Sequence, residues 1–202
     1  MEAAAFLFGK LPAHGDFVRR GLDDAAEAAW DDWASAALDA RRTALGADFE
    51  DAHGLALPWR FVLAPGGLSG PGWSAGAQMA NKDSADRRFI AVLGVGALTQ
   101  GAALAHGAAI AGRAEDLGRR ALAEGLDADG LRDALAPLAI GPEDAGALAF
   151  GRFLPEPPSG PGIWWTMGET AAIVRLTDRL APEDLIPAPE PAPSKAPEPN
   201  AP

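Results

Sequence analysis

The sequence has no cysteine and only three histidines among its 202 residues. Without cysteine the chain cannot form a disulfide, a thiolate zinc site, an iron–sulfur cluster or a cysteine nucleophile. His14, His53 and His106 lie far apart, and no two of them have the i, i+4 spacing of a helical metal site. We therefore expect neither a metal site nor a cofactor.

Basic residues are also scarce. The chain carries 17 Lys and Arg against 28 Asp and Glu, which gives a formal net charge of −11, and no basic run is longer than a pair. Nucleic acids and anionic membrane surfaces are bound through clustered Lys and Arg, so neither is an expected partner.

Long hydrophobic runs are absent too. The most apolar stretch, residues 89–110, contains four glycines together with Gln100 and His106, which makes it a poor membrane span. We interpret it as a buried strand followed by a helix. The first nine residues lack the basic start of a secretory signal, so a cytoplasmic location is expected.

Proline is concentrated at the C-terminal end, where eight of the last 21 residues are proline. Such a segment has too few large apolar side chains to offset the entropy of ordering it. We therefore predict one folded domain over residues 1–182 and a disordered, proline-rich tail over residues 183–202.

The remaining pattern predicts alternating strands and helices. Short apolar runs predict strands at residues 6–11, 59–63, 73–79, 89–94, 163–166 and 171–176. Helices are predicted at residues 22–45, with Trp30 and Trp33 on its buried face, and at residues 101–136, with a break at 127–130. Consecutive strands without a helix between them favour antiparallel pairing. The predicted fold is a single α/β domain of α+β character, with a mixed and largely antiparallel sheet of five or six strands and packed helices.

One short motif suggests catalysis. Residues 72–76 read G-x-S-x-G around Ser74, and Asp83 or Asp86 and then His106 follow in the order used by α/β-hydrolases. The nucleophile turn of that fold requires a buried strand before the serine and a helix after it, whereas here a Gly/Pro loop precedes Ser74 and a predicted strand follows. We interpret Ser74 as structural and keep a small serine hydrolase as an alternative.

Charged residues cluster at predicted strand ends: Lys10, Asp16, Arg60, Asp83, Arg87 and Arg88. Arg60 lies inside an apolar strand and needs a carboxylate partner if it points inward, for which Asp16 or Asp83 are candidates. Structural ion pairs are the simpler interpretation. A binding site for a small anionic ligand at Arg60 and Arg87 is the alternative.

Several motifs together resemble the TagF (ImpM) family of type VI secretion system-associated accessory proteins. The matching segments are FGKLPAHGDFVRR (residues 8–20), Trp30 with Trp33, PWRFVLAPG (residues 58–66), Trp73 with Gly76, and WWT with Gly168 (residues 164–168). On these motifs, and on the loop that follows residue 80, the candidate partner-binding residues are Lys10, Gly15, Asp16, Phe17, Trp59, Arg60, Asp83 and Arg87. The loop departs from the family pattern, since Ser84 replaces Arg, Asp86 replaces Gly and Ile90 replaces Pro, and we expect a different backbone shape there.

The resemblance implies regulation without catalysis. It implies a cytoplasmic, post-translational negative regulator of type VI secretion that binds the forkhead-associated scaffold protein of the system, in a pathway with a threonine kinase and a phosphatase. Some relatives are fused to the phosphatase, for which this chain has no room.

Overall fold

The computed structural model describes residues 2–14, 16–83, 85–137, 161–167 and 172–185. Its strands are β1 (Ala4–Gly9), β2 (Val18–Arg20), β3 (Trp59–Leu63), β4 (Trp73–Lys82), β5 (Arg88–Leu98), β6 (Gly162–Met167) and β7 (Ala172–Arg175). Its helices are α1 (Asp24–Leu45), α2 (Phe49–Gly54), α3 (Gln100–Glu124) and α4 (Ala128–Leu135). Single 3-10 turns lie at Gly46–Asp48, Gly67–Ser69 and Pro182–Leu185.

The described strands form one sheet in the order β2-β1-β5-β4-β3-β6-β7, and every neighbouring pair is antiparallel. The predicted α+β fold with a largely antiparallel sheet is confirmed. The sheet has seven strands instead of five or six, because the three-residue edge strand β2 was not predicted. The closing hairpin is present as β6 and β7, and its turn, residues 168–171, lies outside the described residues.

Successive side chains of a strand point to opposite faces, so each face of this sheet has its own core. Phe6 and Phe8 of β1 pack with α1 and Phe49 of α2, whereas Ala5 and Leu7 pack with α3 and α4. The molecule therefore has three layers, with α1 and α2 on one side of the sheet and α3 and α4 on the other.

The predicted helix boundaries have clear physical causes. The carboxylate of Asp23 accepts a hydrogen bond from the backbone N–H of Ala26 at 2.8 Å, which caps α1. Thr99 caps α3 in the same way, and Asp127 caps α4 at the predicted break in the second helical region. Gly125 ends α3 in the left-handed conformation, with φ +70°.

A row of paired residues crosses the centre of the sheet: Phe6 (β1), Gly94 (β5), Gly76 (β4), Phe61 (β3) and Trp164 (β6). The ring centroids of Phe6 and Phe61 are 6.5 Å apart, and the ring planes meet at 29°. Gly76 leaves room for the Phe61 ring, whereas a Cβ atom on Gly94 would meet the backbone of β4. The aromatic side chains of the row form the middle of the α1-side core.

Helix α1 closes this core with its two tryptophans. Trp30 contacts Phe61 and Trp164, with ring centroids 5.5 and 6.2 Å away, and Trp33 lies 6.0 Å from Trp164. The predicted burial of both tryptophans is confirmed, since Trp30 is 0% and Trp33 3% exposed.

The chain continues past Arg175 to pack against α1 again. Trp33 Nε1 donates a hydrogen bond to the carbonyl of Leu180, and Leu180 and Leu185 are both buried in the α1-side core. Leu185 belongs to the segment that composition alone assigned to the tail. Residues 183–185 of that segment are part of the 3-10 turn, whereas residues 186–202 lie outside the described residues, and their predicted disorder stays a prediction.

Candidate functional site

Three of the predicted site residues meet at the turn between β4 and β5. The carboxylate of Asp83 accepts hydrogen bonds from Lys10 Nζ at 3.2 Å and from Arg87 Nε at 2.8 Å, and Arg87 Nη2 lies 2.7 Å away. Lys10 follows β1, which pairs with β5, so the order of strands brings it to this turn. We call Lys10, Asp83 and Arg87 the turn cluster.

Asp83 is held as a carboxylate by these contacts. Burial alone would raise its pKa, but hydrogen bonds from the backbone and side chain of Arg87, from Lys10 and from the backbone of Ala85 hold the pKa of this carboxyl well below its usual range. One carboxylate faces two cations, so the cluster carries one excess positive charge at neutral pH.

The turn cluster leaves Arg87 open to a ligand. The Arg87 side chain is 64% exposed, whereas the Asp83 side chain is 3% exposed. Lys10 Nζ lies 4.4 Å from the ring centroid of Phe89, and Arg87 lies 5.9 Å from the same ring. The buried carboxylate of Asp83 and the ring of Phe89 thus hold the Arg87 side chain in position.

The hairpin that carries the cluster is fastened to α2 by His53, which is 1% exposed. His53 Nε2 lies 3.0 Å from the carbonyl of Asn81 and 2.9 Å from that of Phe89. Because carbonyls only accept hydrogen bonds, Nε2 carries the proton, and Nδ1 accepts from Arg41 at 3.3 Å. The Asn81 side chain in turn donates to the carbonyl of Lys10. Strands β1, β4 and β5 are therefore fixed to one another at this end of the sheet.

Burial, and after it the charge of Arg41, lowers the pKa of His53 to about 4, against the opposing effect of the hydrogen bonds to the two carbonyls. Arg41 is itself 1% exposed, and burial lowers its pKa as well. Its Nε and Nη2 atoms have no hydrogen-bond partner among the residues that the structure describes. His53 is therefore neutral at pH 7, and its neutral form is what allows it to sit beside a guanidinium.

An open groove of about 780 Å³ lies between helix α1 and the β4–β5 turn. We call it the α1–turn groove. The residues that line it include Phe8, Phe17, Asp31, Ser35, Leu38, Asp39, Arg42, Glu50, Asp86, Arg87, Arg88, Phe89 and Ile90. Phe17 is packed edge-on against Phe8 at 4.8 Å between centroids. Aromatic and aliphatic side chains thus line the groove together with charged residues.

The other predicted site residues lie in different places. Phe17 reaches the α1–turn groove, and Asp16 is exposed beside it in the chain. Trp59 is 3% exposed and belongs to the α1-side core, so it is not available to a partner. Gly15 lies outside the described residues.

The prediction that Asp16 or Asp83 pairs with Arg60 was wrong. Arg60 Nε donates to Glu115 of α3 at 2.8 Å, and neither Asp16 nor Asp83 contacts it. Arg60 therefore faces α3, whereas Arg87 lies at the β4–β5 turn beside α1. The structure does not bring Arg60 and Arg87 into one anion site.

We expect Arg60→Ala to lower the free energy of unfolding by only about 1 kcal/mol, because the Arg60 and Glu115 side chains are 27% and 12% exposed and Glu115 keeps Arg119 as a partner at 2.9 Å. Urea unfolding measures the change. Arg119→Ala, which removes an exposed arginine from the same carboxylate, is the control and should change stability by less. A loss of several kcal/mol for Arg60→Ala would contradict this account of the pair.

Ser74 does not occupy a nucleophile turn. It lies within β4, is 1% exposed, and faces the side of α1, while His106 lies on α3 on the opposite face of the sheet. The second glycine of the G-x-S-x-G motif, Gly76, instead makes room for Phe61. The serine, acid and histidine of the hydrolase pattern are thus not brought together.

At position 86 the altered loop has a backbone conformation that a glycine would also adopt. Asp86 has φ +62°, the left-handed conformation that glycine favours and that Asp tolerates better than most residues. Replacement of glycine by Asp is thus compatible with this backbone, and the expected difference in loop shape stays a prediction. Lys82 and Arg88 both hydrogen-bond or pair with the Asp86 side chain, and they lower its pKa.

Two further findings concern ligands and membranes. Within the described ranges, no group of three His, Asp or Glu side chains is arranged to hold a metal ion. His14 instead accepts a hydrogen bond from the backbone N–H of Ala128 at 2.9 Å. No helix in the described part of the chain combines the length and apolarity needed to cross a bilayer.

Sequence reasoning missed several residues of the site, namely Arg41, Arg42, His53, Asn81 and Phe89. His53 and Arg41 are twelve residues apart on different helices, and Asn81 contacts Lys10 across 71 residues. The only local signal was the polar stretch between two apolar strands. Such a stretch indicates a turn but does not identify the residues that contact it.

These features define a single-domain, three-layer α+β protein with a groove beside a fixed turn. A model of the family described as "TagF N-terminal domain, Type VI secretion system-associated" matches residues 7–138. The chain belongs to this family and is a type VI secretion-associated protein. The match begins within β1 and extends past the end of α4, so it includes the turn cluster and all the residues named above as lining the groove.

A solved structure supports the fold. The crystal structure of PA0076 from Pseudomonas aeruginosa PAO1 superposes with a TM-score of 0.68 at 24% sequence identity, covering 97% of this chain and 100% of that chain. No match was found among curated proteins.

Proposed function

We propose that this protein is a non-catalytic, cytoplasmic accessory protein that represses type VI secretion after translation by binding the forkhead-associated scaffold of the system. Membership of the TagF family supports the secretion system as the setting. The observation that carries a binding role is that three of the family-motif residues, Lys10, Asp83 and Arg87, form one cluster at the rim of the α1–turn groove.

The proposed mechanism is occupancy. A regulator that binds one state of a scaffold more tightly than another shifts the scaffold toward the bound state by its difference in affinity. A factor of about 100 between the two affinities corresponds to about 2.7 kcal/mol. Repression then depends on the concentration of the regulator and on the groove being intact, without a chemical step.

Affinity capture with the full chain as bait tests the partner. The lysate comes from a bacterium carrying the matching secretion system, and bound proteins are identified by mass spectrometry. Recovery of the forkhead-associated scaffold above a bait-free control supports the proposal. Its absence, with bait and scaffold both detected in the input, contradicts direct binding.

A secretion assay separates binding from hydrolysis. We expect Ser74→Ala to repress effector release as strongly as the unchanged chain when both are produced at equal levels, because the Ser74 hydroxyl is buried and unconnected to His106. An esterase assay of the same two proteins is the control. Loss of repression with an unchanged melting temperature would favour the hydrolase alternative.

A further inference from the structure

A second cavity, of about 320 Å³, lies at the end of the sheet opposite the turn cluster. It is enclosed by the beginnings of β1, β4 and α1, the end of β5 and the 3-10 turn at Gly67–Ser69. We call it the α1-start pocket, and its lining includes Phe6, Asp23, Leu68, Ser74, Gly96 and Ala97. At about 30 Å³ per water molecule its volume equals that of about ten waters, which is at the lower end of the range of small-molecule sites.

The backbone beside this pocket is irregular. One residue of β4, Ser74, faces two residues of β5, Gly96 and Ala97, which makes a β-bulge. Ala97 has φ +55°, a left-handed conformation that residues other than glycine rarely adopt. Bulges and backbone strain of this kind are concentrated at binding sites, and here both adjoin one cavity.

The hydroxyl of Ser74 is the unpaired polar group of this pocket. Ser74 lines the pocket and is 1% exposed, yet its Oγ atom has no hydrogen-bond partner among the residues that the structure describes. Ser69 in the same lining differs, because its hydroxyl donates to the carbonyl of Gly72 at 2.6 Å. A buried hydroxyl without a partner is unfavourable, and a polar group of a ligand would satisfy it.

The rest of the pocket combines an apolar floor with an acidic mouth. Phe6, Ala26 and Leu68 are buried, whereas Glu2 and Asp23 are exposed. Among the described residues that line the pocket, these two are the charged ones, and none is basic. Oδ1 of Asp23 accepts the capping hydrogen bond of α1, and Oδ2 accepts none within the described part of the chain. Oδ2 is therefore free to accept from a ligand.

The helix dipole does not reverse the charge of this mouth. The beginning of a helix carries about half a positive charge. Asp23 and Asp24 each bring a full negative charge to the beginning of α1, and neither pairs with a cation of the described chain. The mouth of the pocket therefore attracts cations and repels anions.

We propose that the α1-start pocket binds a small organic amine with an apolar body, whose ammonium group donates to Asp23 and whose far end carries a hydroxyl that pairs with Ser74. The apolar body lies against Phe6 and Leu68. This site goes beyond the proposed function, since it lies at the opposite end of β4 and β5 from Arg87. Ser74→Ala is still expected to leave repression unchanged.

Titration of the full chain with tyramine, followed through the NMR shifts of backbone amides, tests the proposal. Tyramine carries an ammonium group and a phenolic hydroxyl at opposite ends of an apolar body. We expect saturable binding with shift changes at Ser74, Gly96 and Ala97. 2-Phenylethylamine, which lacks the hydroxyl, should bind about fivefold more weakly. 3-(4-Hydroxyphenyl)propionate, which carries a carboxylate in place of the ammonium group, should not bind.

Two variants separate the two polar contacts. Ser74→Ala should bind tyramine as weakly as 2-phenylethylamine and leave the affinity for 2-phenylethylamine unchanged. Asp23→Asn should weaken both amines by about tenfold or more, because asparagine keeps the helix cap but removes the charge. The matched control is Asp24→Asn, which removes a carboxylate from the same helical turn outside the pocket lining and should keep the affinity within about twofold.

A third variant tests the location. A Cβ atom at position 96 would lie 3.6 Å from the Phe6 ring, an ordinary contact, so Gly96→Val should fold with its side chain inside the pocket. We expect it to abolish tyramine binding. Thermal melts without ligand verify that every variant is folded.

Three results would overturn the proposal: no saturable binding at up to about 10 mM tyramine, equal affinities of Asp23→Asn and Asp24→Asn, or an unchanged tyramine affinity in Ser74→Ala. The scaffold capture described above concerns another surface. Its failure would refute the named partner only, and a failed titration would refute the amine site only.

Discussion

Gly76→Ala is expected to lower the free energy of unfolding by about 3 kcal/mol, which for a chain of this size lowers the melting temperature by roughly 6–12 °C. This is the opposite of the usual result, since Gly→Ala at a position with a compatible backbone stabilises a protein by about 0.4–1 kcal/mol. The difference comes from the space around residue 76.

A Cβ atom at position 76 would overlap with the carbonyl oxygen of Leu93 and lie 2.8 Å from the Phe61 ring and 2.9 Å from Gly94 Cα. Two of these three neighbours are backbone atoms of the adjacent strand, which cannot turn away as a flexible side chain would. The extra methyl group must therefore push β5 from β4 or displace Phe61 from its packing against Trp30 and Trp164.

The control is Gly101→Ala. Gly101 lies in the first turn of α3 and has nothing within 4 Å of an added Cβ atom, so this change should be neutral or stabilising by up to about 1 kcal/mol. Urea unfolding of both variants measures the contrast. A Gly76→Ala protein as stable as the unchanged chain would show that Gly76 is not packed against Phe61 and the backbone of β5 as described.

Lowering the pH from 7 to 5 is expected to destabilise the protein by about 2 kcal/mol through His53 alone. The ordinary pKa of 6.5 applies to the unfolded chain, and the pKa in the folded chain is about 4. Between these values the unfolded chain binds a proton that the folded chain does not. The contribution of neutral His53 to the free energy of unfolding is therefore fully present above pH 6.5 and is lost as the pH falls toward 4.

Urea unfolding at pH 7 and pH 5 measures this loss, at pH values where most carboxyl groups remain ionised. His53→Gln is the matched variant, because a side-chain amide keeps one donor and one acceptor but does not titrate. Between pH 7 and pH 5 the variant should lose about 2 kcal/mol less of its free energy of unfolding than the unchanged chain loses. An identical pH dependence in both proteins would contradict the neutral, buried state of His53.

Much of the fold was predictable because its signals are local. Each predicted strand is a short apolar run beside a turn signal, and Asp23, Thr99 and Asp127 sit before their helices as capping residues do. Strand β2 was missed because Val18 is followed by two arginines, a composition typical of an edge strand that carries charge. Helix α2 has only six residues, too few for a helical period to be visible.

The site was less predictable because its contacts are long-range. Motif resemblance identified Lys10, Asp83 and Arg87, but their meeting depends on the sheet order, which sequence does not state. The same limit explains the error at Arg60. Its partner, Glu115, lies on a helix packed over the sheet, whereas the prediction considered only carboxylates near strand ends.

The G-x-S-x-G motif is a different kind of case. The spacing of its residues is real, but the reason for Gly76 is steric, because Phe61 on the neighbouring strand needs the space. A pattern of five residues cannot distinguish a nucleophile turn from a glycine that accommodates a ring across the sheet.

The central proposal is that this protein binds the forkhead-associated scaffold at the turn cluster, where the Arg87 side chain is exposed. The most direct measurement is a calorimetric titration of the purified scaffold with the full chain and with its Arg87→Glu and Arg120→Glu variants. Arg120 is the control because it is an exposed arginine of α3 that pairs with Glu124. We predict binding by the unchanged chain, at least tenfold weaker binding by Arg87→Glu, and an affinity within about twofold of the unchanged chain for Arg120→Glu. No binding by the unchanged chain, or equal affinities for all three folded proteins, would contradict the account.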